Sequence, residues 1–113
     1  MREILFRGKR TDNGEWIYGD LMQNVDCIKI REQEKDVKHI AKSFEIDLET
    51  VGQYTDLADK NGKRIFENGY MIIDKQTYKV LFDNGEYILK NIFNCDIIQL
   101  KNNSNIGVFV DEI

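Results

Sequence analysis

Alternation of apolar and polar residues is the strongest pattern along this chain, and it is clearest over residues 78–91. There YKVLFDNGEYILKN reads as two runs of period two on either side of Asn84-Gly85, a dipeptide whose residues both tolerate positive φ. A two-residue loop at that point pairs Phe82 with Tyr87, Val80 with Leu89 and Tyr78 with Asn91, which makes one face almost wholly apolar. The other face carries Leu81 with Ile88 and Lys79 with Lys90, a mixed surface predicted to be partly covered. Asp83 then faces Glu86 beside the exposed loop.

Asparagine-glycine turns are also predicted at Asn13-Gly14 and Asn61-Gly62. A two-residue loop at the first sets Phe6 opposite Leu21, Arg7 opposite Asp20 and Gly8 opposite Gly19, and a glycine pair of that kind suggests a bulge or a close backbone crossing. Trp16 and Tyr18 fall on one face, opposite Thr11 and Lys9. They read either as a small aromatic interaction surface or, for the tryptophan above all, as core packing. Short apolar runs at 71–73, 97–100 and 106–110 are strand-sized and bounded by polar residues. The stretch REQEKDVK, residues 31–38, lacks alternation and is predicted to be an exposed loop. From Glu34 to Phe44 helix and strand carry equal weight, because Val37, Ile40 and Phe44 recur at helical intervals.

Composition sharpens the prediction of a mainly β fold. The chain has 15 isoleucines and 6 valines but 2 alanines and no proline, and β-branched side chains suit a pleated surface. At 113 residues it can bury roughly two-thirds of its unfolded surface around one core. No apolar run approaches the roughly 20 residues that cross a bilayer as a helix, and MREILFRGKR lacks the apolar stretch of a secretory signal, so a cytoplasmic protein with no membrane partner is expected. Cys27 and Cys95, without a second cysteine or histidine at metal-ligand spacing, read as reduced, buried thiols.

A net charge of −4 is too weak for a nucleic-acid mimic, and neither half of the chain is basic. The single histidine, His39, excludes a multi-histidine metal site; a dyad with Cys27 has no supporting local motif. Acid pairs such as Asp47 with Glu49 or Asp111 with Glu112 read as solvating surface, and no glycine loop has phosphate-cradling spacing. The expectation is a protein that is not an enzyme and uses no metal or cofactor.

The run VGQYTDLADKNGKRIF, residues 51–66, followed by ENGYMI, resembles the signature segment of the YopX family of phage and prophage proteins. Family members typically carry a threonine, VGQYTG, a DKNG turn, and then an aromatic and an acidic residue leading into a strand. Thr50 to Thr55, Asp59 to Gly62, and Ile65 to Glu67 fit that pattern. The opening REILFRGKRTDNGEWIYG and the later YKVLFDNGEYIL are similar to the family's start and hairpin, and NIGVFVDE more weakly to its close. Two departures stand out: Asp56 occupies a position where glycine is usual, and Gly69 lies near the usual acidic residue.

The resemblance implies a phage or prophage product in a bacterial cell, with a β-rich section over residues 1–50, an SH3-like small β-barrel over 51–113, and at most one short helix. It implies no particular activity. Within the signature, Gln53 and Tyr54 can offer hydrogen bonds and a flat ring to a partner, although the same residues can be packed into the fold, with Gly52 allowing a tight turn. The candidate interaction surface is therefore Trp16, Tyr18, Gln53 and Tyr54. The expected partner is a host or phage protein or a second copy of the chain, giving a homo-oligomer. The alternative is a nucleic-acid-binding small barrel, in which Lys9, Arg10, Lys79 and Lys90 share a face.

Overall fold

The computed structural model describes residues 3–23, 27–32 and 42–113. It contains eleven strands and three single-turn 3-10 helices, all strand pairings are antiparallel, and no α-helix occurs among the described residues. The strands form two open sheets, and no closed barrel is found among the described residues. Among the described residues no helix is long and apolar enough to cross a membrane. The chain divides into two compact units, Met1–Gln53 and Tyr54–Ile113.

In the first unit β1 (Phe6–Lys9), β2 (Trp16–Gln23), β3 (Ile28–Glu32) and β4 (Ser43–Glu45) lie in the order β4-β3-β2-β1. The start of β5 (Gly52–Ala58) adds to the far side of β1, with Gln53 opposite Phe6. Period two segregates the sheet's faces. Phe6, Ile17, Leu21, Ile30 and Phe44 project to one side, where Ile46 and Val51 join them as a core centred on Ile17, Ile30 and Ile46. Gly8 belongs to this face: a Cβ there would collide with the Ile46 side chain, so the missing side chain is what lets Ile46 seat. Before β5 the chain makes a 3-10 turn at Leu48–Thr50, capped by Asp47 and pinned to β1. The Lys9 N–H donates to Thr50 Oγ1 at 2.8 Å and the Asp47 N–H to the Lys9 carbonyl at 2.9 Å.

The first hairpin differs from the predicted one. Its register is Phe6 with Gly19, Arg7 with Tyr18, Gly8 with Ile17 and Lys9 with Trp16, two residues away from the register a loop of Asn13-Gly14 alone would set. The turn spans four residues. The Arg10 N–H donates to the Glu15 carbonyl at 2.9 Å and the Gly14 N–H to the Arg10 carbonyl at 3.0 Å, while the Arg10 guanidinium holds Asp12 in the loop at 2.9 and 2.6 Å. A two-residue shift preserves the faces, so the core is as the alternation predicts while every cross-strand partner changes. Gly8 and Gly19 are thus not paired. Gly19 is small because a Cβ would run into the Arg31 carbonyl of β3. The segment expected as a loop from residue 31 begins instead as strand, since β3 runs through Glu32; the 34–44 segment ends in β4, which starts at Ser43, and residues 33–41 lie outside the described residues.

In the second unit the remainder of β5 pairs with β6 (Arg64–Phe66), and β7 (Tyr70–Ile73), β8 (Gln76–Asp83), β9 (Glu86–Asn91), β10 (Ile97–Gln99) and β11 (Val108–Val110) form a sheet of order β10-β9-β8-β7-β11. The β8–β9 register agrees with the sequence expectation at every pair from Tyr78–Asn91 to Asp83–Glu86. Met71, Val80, Leu89 and Phe109 form the buried side, and Ile88 on the mixed face is also buried. One apolar run ends in a turn and another begins in one: Leu100 and Ile106 fall in 3-10 helices at Leu100–Asn102 and Ser104–Ile106. A further tight turn, Asp74-Lys75 between β7 and β8, has φ of 50° and 66°. It carries no glycine, so the sequence holds no asparagine-glycine signal for it.

The β5–β6 pairing slips between Tyr54–Phe66 and Ala58–Arg64, and Asp56 sits in this bulge at φ 69°. The left-handed conformation explains why glycine suits that position. The following turn is organised by Asp59, whose side chain is buried. Its Oδ1 accepts the N–H groups of Asn61 and Lys63, each at 2.9 Å, and its Oδ2 accepts the Phe109 N–H of β11 at 2.8 Å. Burial pushes this carboxyl up. The three N–H donors and the nearby Lys63 outweigh that effect and hold it below the ordinary carboxylate value.

Candidate interaction surface

Trp16 and Tyr18 share a face of the first-unit sheet, opposite the side that packs the core, because they stand across from Lys9 and Arg7. The Trp16 ring is not a free platform. The Arg7 guanidinium lies 4.0 Å and the Lys9 ammonium 5.4 Å from its centroid, and Arg7 is 1% exposed. A partly desolvated cation over an indole contributes roughly 0.5–2 kcal/mol, enough to hold that ring in place. Tyr18 keeps 38% of its surface exposed, and Lys29 and Arg31 of β3 lie on the same face.

Gln53 and Tyr54 do not extend that face. Gln53 stands opposite Phe6, on the core side of the first sheet, and is half-buried. Tyr54 is buried in the second unit, opposite Phe66 with ring centroids 5.5 Å apart, and the Arg64 guanidinium is 5.4 Å from its ring. Beside it the Thr55 hydroxyl donates to the Ile65 carbonyl at 2.8 Å. Trp16 and Tyr18 thus lie on the outer face of the first-unit sheet, Gln53 on its core side, and Tyr54 in the interior of the second unit.

The largest presented aromatic lies elsewhere. Between β9 and β10 the chain passes through Ile92, Phe93, Asn94, Cys95 and Asp96, and Phe93 is 86% exposed. This exposure belongs to an ordered turn, since buried Asn91 anchors it from below. Asn91 Oδ1 accepts the N–H groups of Phe93 at 2.9 Å and Asn94 at 3.2 Å, its Nδ2 donates to Gln76 Oε1 at 2.6 Å, and its N–H donates to the Asp96 carbonyl at 2.8 Å. The Cys95 N–H returns to the Asn91 carbonyl at 3.1 Å, and Cys95 takes a φ of 64°. Exposed Ile92 precedes the aromatic, and Ile97, 58% exposed, opens the edge strand β10. A hydrogen-bonded turn thus presents an exposed apolar side chain next to the terminal strand of the sheet. The sequence contains a signal for it in the segment NIFNCD, where Asx-type residues bracket two apolar ones.

Groups that could support catalysis are dispersed. No cluster of three histidine, cysteine or acidic side chains suited to a metal occurs among the described residues. Cys27 is half-buried and Cys95 exposed, both free, so the expectation of two buried thiols fails at Cys95, which the Asn91 turn carries into solvent. His39, and with it the Cys27 dyad, lies outside the described residues. Asp47 spends its carboxylate on the Glu49 N–H at 3.1 Å, and Asp111 lies 3.7 Å from Lys63. Lys9 and Arg10 project to opposite faces, one toward Trp16 and the other over Phe44 at 4.2 Å, whereas Lys79 and Lys90 are direct cross-strand neighbours in the second unit.

The family model described as YopX protein matches residues 5–110. No curated protein matches the chain.

Proposed function

Since the chain belongs to the YopX family, we propose that it is a non-enzymatic accessory protein of a phage or prophage, working in the bacterial cytoplasm by binding another protein or a second copy of itself. The observation that carries this reading is the Asn91-anchored turn. Its hydrogen-bonded backbone presents exposed Phe93 and Ile92 just before β10, the terminal strand of its sheet, which opens with exposed Ile97. A backbone already ordered before binding loses little conformational entropy on contact, and a terminal strand can offer main-chain hydrogen bonds to an incoming one. An SH3-like form of the second unit is part of the proposal. Its support is the strand order, with β11 returning beside β7, the first strand of the meander, after two 3-10 turns.

Light scattering on a size-exclusion column and pull-down from bacterial lysate test the reading, each run on the wild type and on Phe93→Ser. Loss of an oligomer or of a retained protein in the variant supports it. A strict monomer that retains nothing, or an association indifferent to Phe93→Ser, removes it.

A nucleic-acid-binding reading rests on one feature, the grouping of Lys9, Lys29 and Arg31 with Tyr18 on the outer face of the first-unit sheet. Aromatic and basic residues interleaved in this way suit a single strand. Binding through them would weaken steeply with salt, and the absence of oligonucleotide binding at low salt discards it.

A further inference from the structure

The chain contains four Asn-Gly dipeptides, at 13–14, 61–62, 68–69 and 84–85. An Asn-Gly bond is the backbone sequence most open to self-modification, because glycine leaves its nitrogen sterically accessible to the preceding amide side chain. In three of the four the fold occupies that nitrogen. The Gly14 N–H donates to the Arg10 carbonyl at 3.0 Å, the Gly62 N–H to the Asp59 carbonyl at 3.0 Å, and the Gly69 N–H to the Phe66 carbonyl at 3.2 Å. Gly69 is also buried, which keeps water and base away.

Asn84-Gly85 differs. It forms the two-residue loop between Asp83 and Glu86, both residues are exposed, and their φ values of 49° and 81° give the mirror-image turn. In such a loop the hydrogen bonds run between the flanking pair, and the Gly85 N–H makes no backbone hydrogen bond among the described residues. The nucleophile is thus unoccupied, in water, and at the tip of a hairpin.

We infer that Asn84 is the site at which this protein deamidates, converting to aspartyl and isoaspartyl forms ahead of its three sister dipeptides. Hydroxide removes the Gly85 amide proton, and the nitrogen forms a bond to Asn84 Cγ while the Cγ–Nδ2 bond breaks and ammonia leaves. Water then opens the cyclic imide. Cleavage of the nitrogen–Cγ bond yields aspartate, and cleavage of the bond to the backbone carbonyl carbon yields isoaspartate, with no oxidation or reduction. Either product alters the hairpin. The aspartyl form adds a third carboxylate beside Asp83 and Glu86, which already face each other, and the isoaspartyl form lengthens a loop whose register depends on having two residues.

The test is incubation of the folded protein in mildly alkaline buffer, with peptide mapping by mass spectrometry and enzymatic methylation to detect isoaspartate. A parallel sample is kept unfolded in urea. In the unfolded chain the four sites should react at comparable rates. In the folded protein Asn84 should react several-fold faster than Asn13, Asn61 and Asn68, and Asn84→Gln should remove the first-formed product. The inference is overturned if any of the other three matches or outruns Asn84 in the folded state, if the folded and unfolded samples give the same ranking and ratios, or if Asn84 stays intact while the unfolded chain reacts.

Discussion

Replacing Asp59 by alanine removes one carboxylate from three backbone donors, and the structure allows its cost to be worked out. The Phe109 N–H, buried on β11, loses a charge-assisted bond of 2.8 Å, a loss of about 1.5–3 kcal/mol. The Asn61 and Lys63 N–H groups lie in a partly exposed turn and together resemble a lost helix cap, about 1 kcal/mol. The sum is about 3 kcal/mol. With an unfolding entropy of about 2.1 cal/mol/K per residue, that corresponds to a fall in Tm of about 13 °C. Urea unfolding followed by circular dichroism reads the loss directly.

The same carboxylate gives a pH signature. Its folded-state pKa is depressed below the unfolded value of about 3.9, so its stabilisation is complete above that value and is lost as pH falls through the folded pKa. Asp59→Asn keeps the shape but supplies a single acceptor oxygen, so its stability should lie between those of wild type and alanine variant, and its stability should vary less with pH below about 4. A loss under about 1 kcal/mol for Asp59→Ala would refute the reasoning, since it would mean the three bonds add no more than one ordinary hydrogen bond. So would an asparagine variant with undiminished acid sensitivity.

Three further outcomes follow from particular contacts. Gly19→Ala should destabilise more than Gly8→Ala in chemical denaturation, because the added Cβ meets the Arg31 backbone carbonyl in the first case and a movable Ile46 methyl in the second; the latter should cost about 1–3 kcal/mol. Asp56→Gly and Lys75→Gly each replace a side chain held at positive φ, 69° and 66°, and each should raise stability by about 0.5–1 kcal/mol, read as a higher thermal midpoint. Phe93→Ser should change stability by less than about 0.5 kcal/mol while abolishing any association, because the ring it removes is almost wholly in water.

The candidate surface was only partly legible in the sequence. Trp16 and Tyr18 share a face in the alternation and in the structure, yet nothing in the spacing revealed that Arg7 and Lys9 cover the tryptophan. Gln53 and Tyr54 are chemically suited to a partner, and the structure puts the first on the core side of its sheet and the second against Phe66. Phe93 is illegible in the sequence for the opposite reason. An aromatic in a short apolar run reads as interior, and only Asn91, committed to holding the turn, shows that it is displayed.

By itself the sequence determined the class of fold, most strand positions, and the full register of β8 against β9, because a two-residue loop at Asn84-Gly85 leaves one pairing compatible with the alternation. The tertiary structure decided the register of β1 against β2, where a four-residue turn clamped by Arg10 and Asp12 displaces the partners by two. It also decided which polar groups are buried, Asp59 beneath β11 and Arg7 over Trp16, and which apolar ones are not. Turn chemistry and alternation act over a few residues and are written locally. Burial depends on which distant segment arrives to cover a side chain, as Phe109 does for Asp59 across fifty positions of chain, and no short stretch of sequence encodes that meeting.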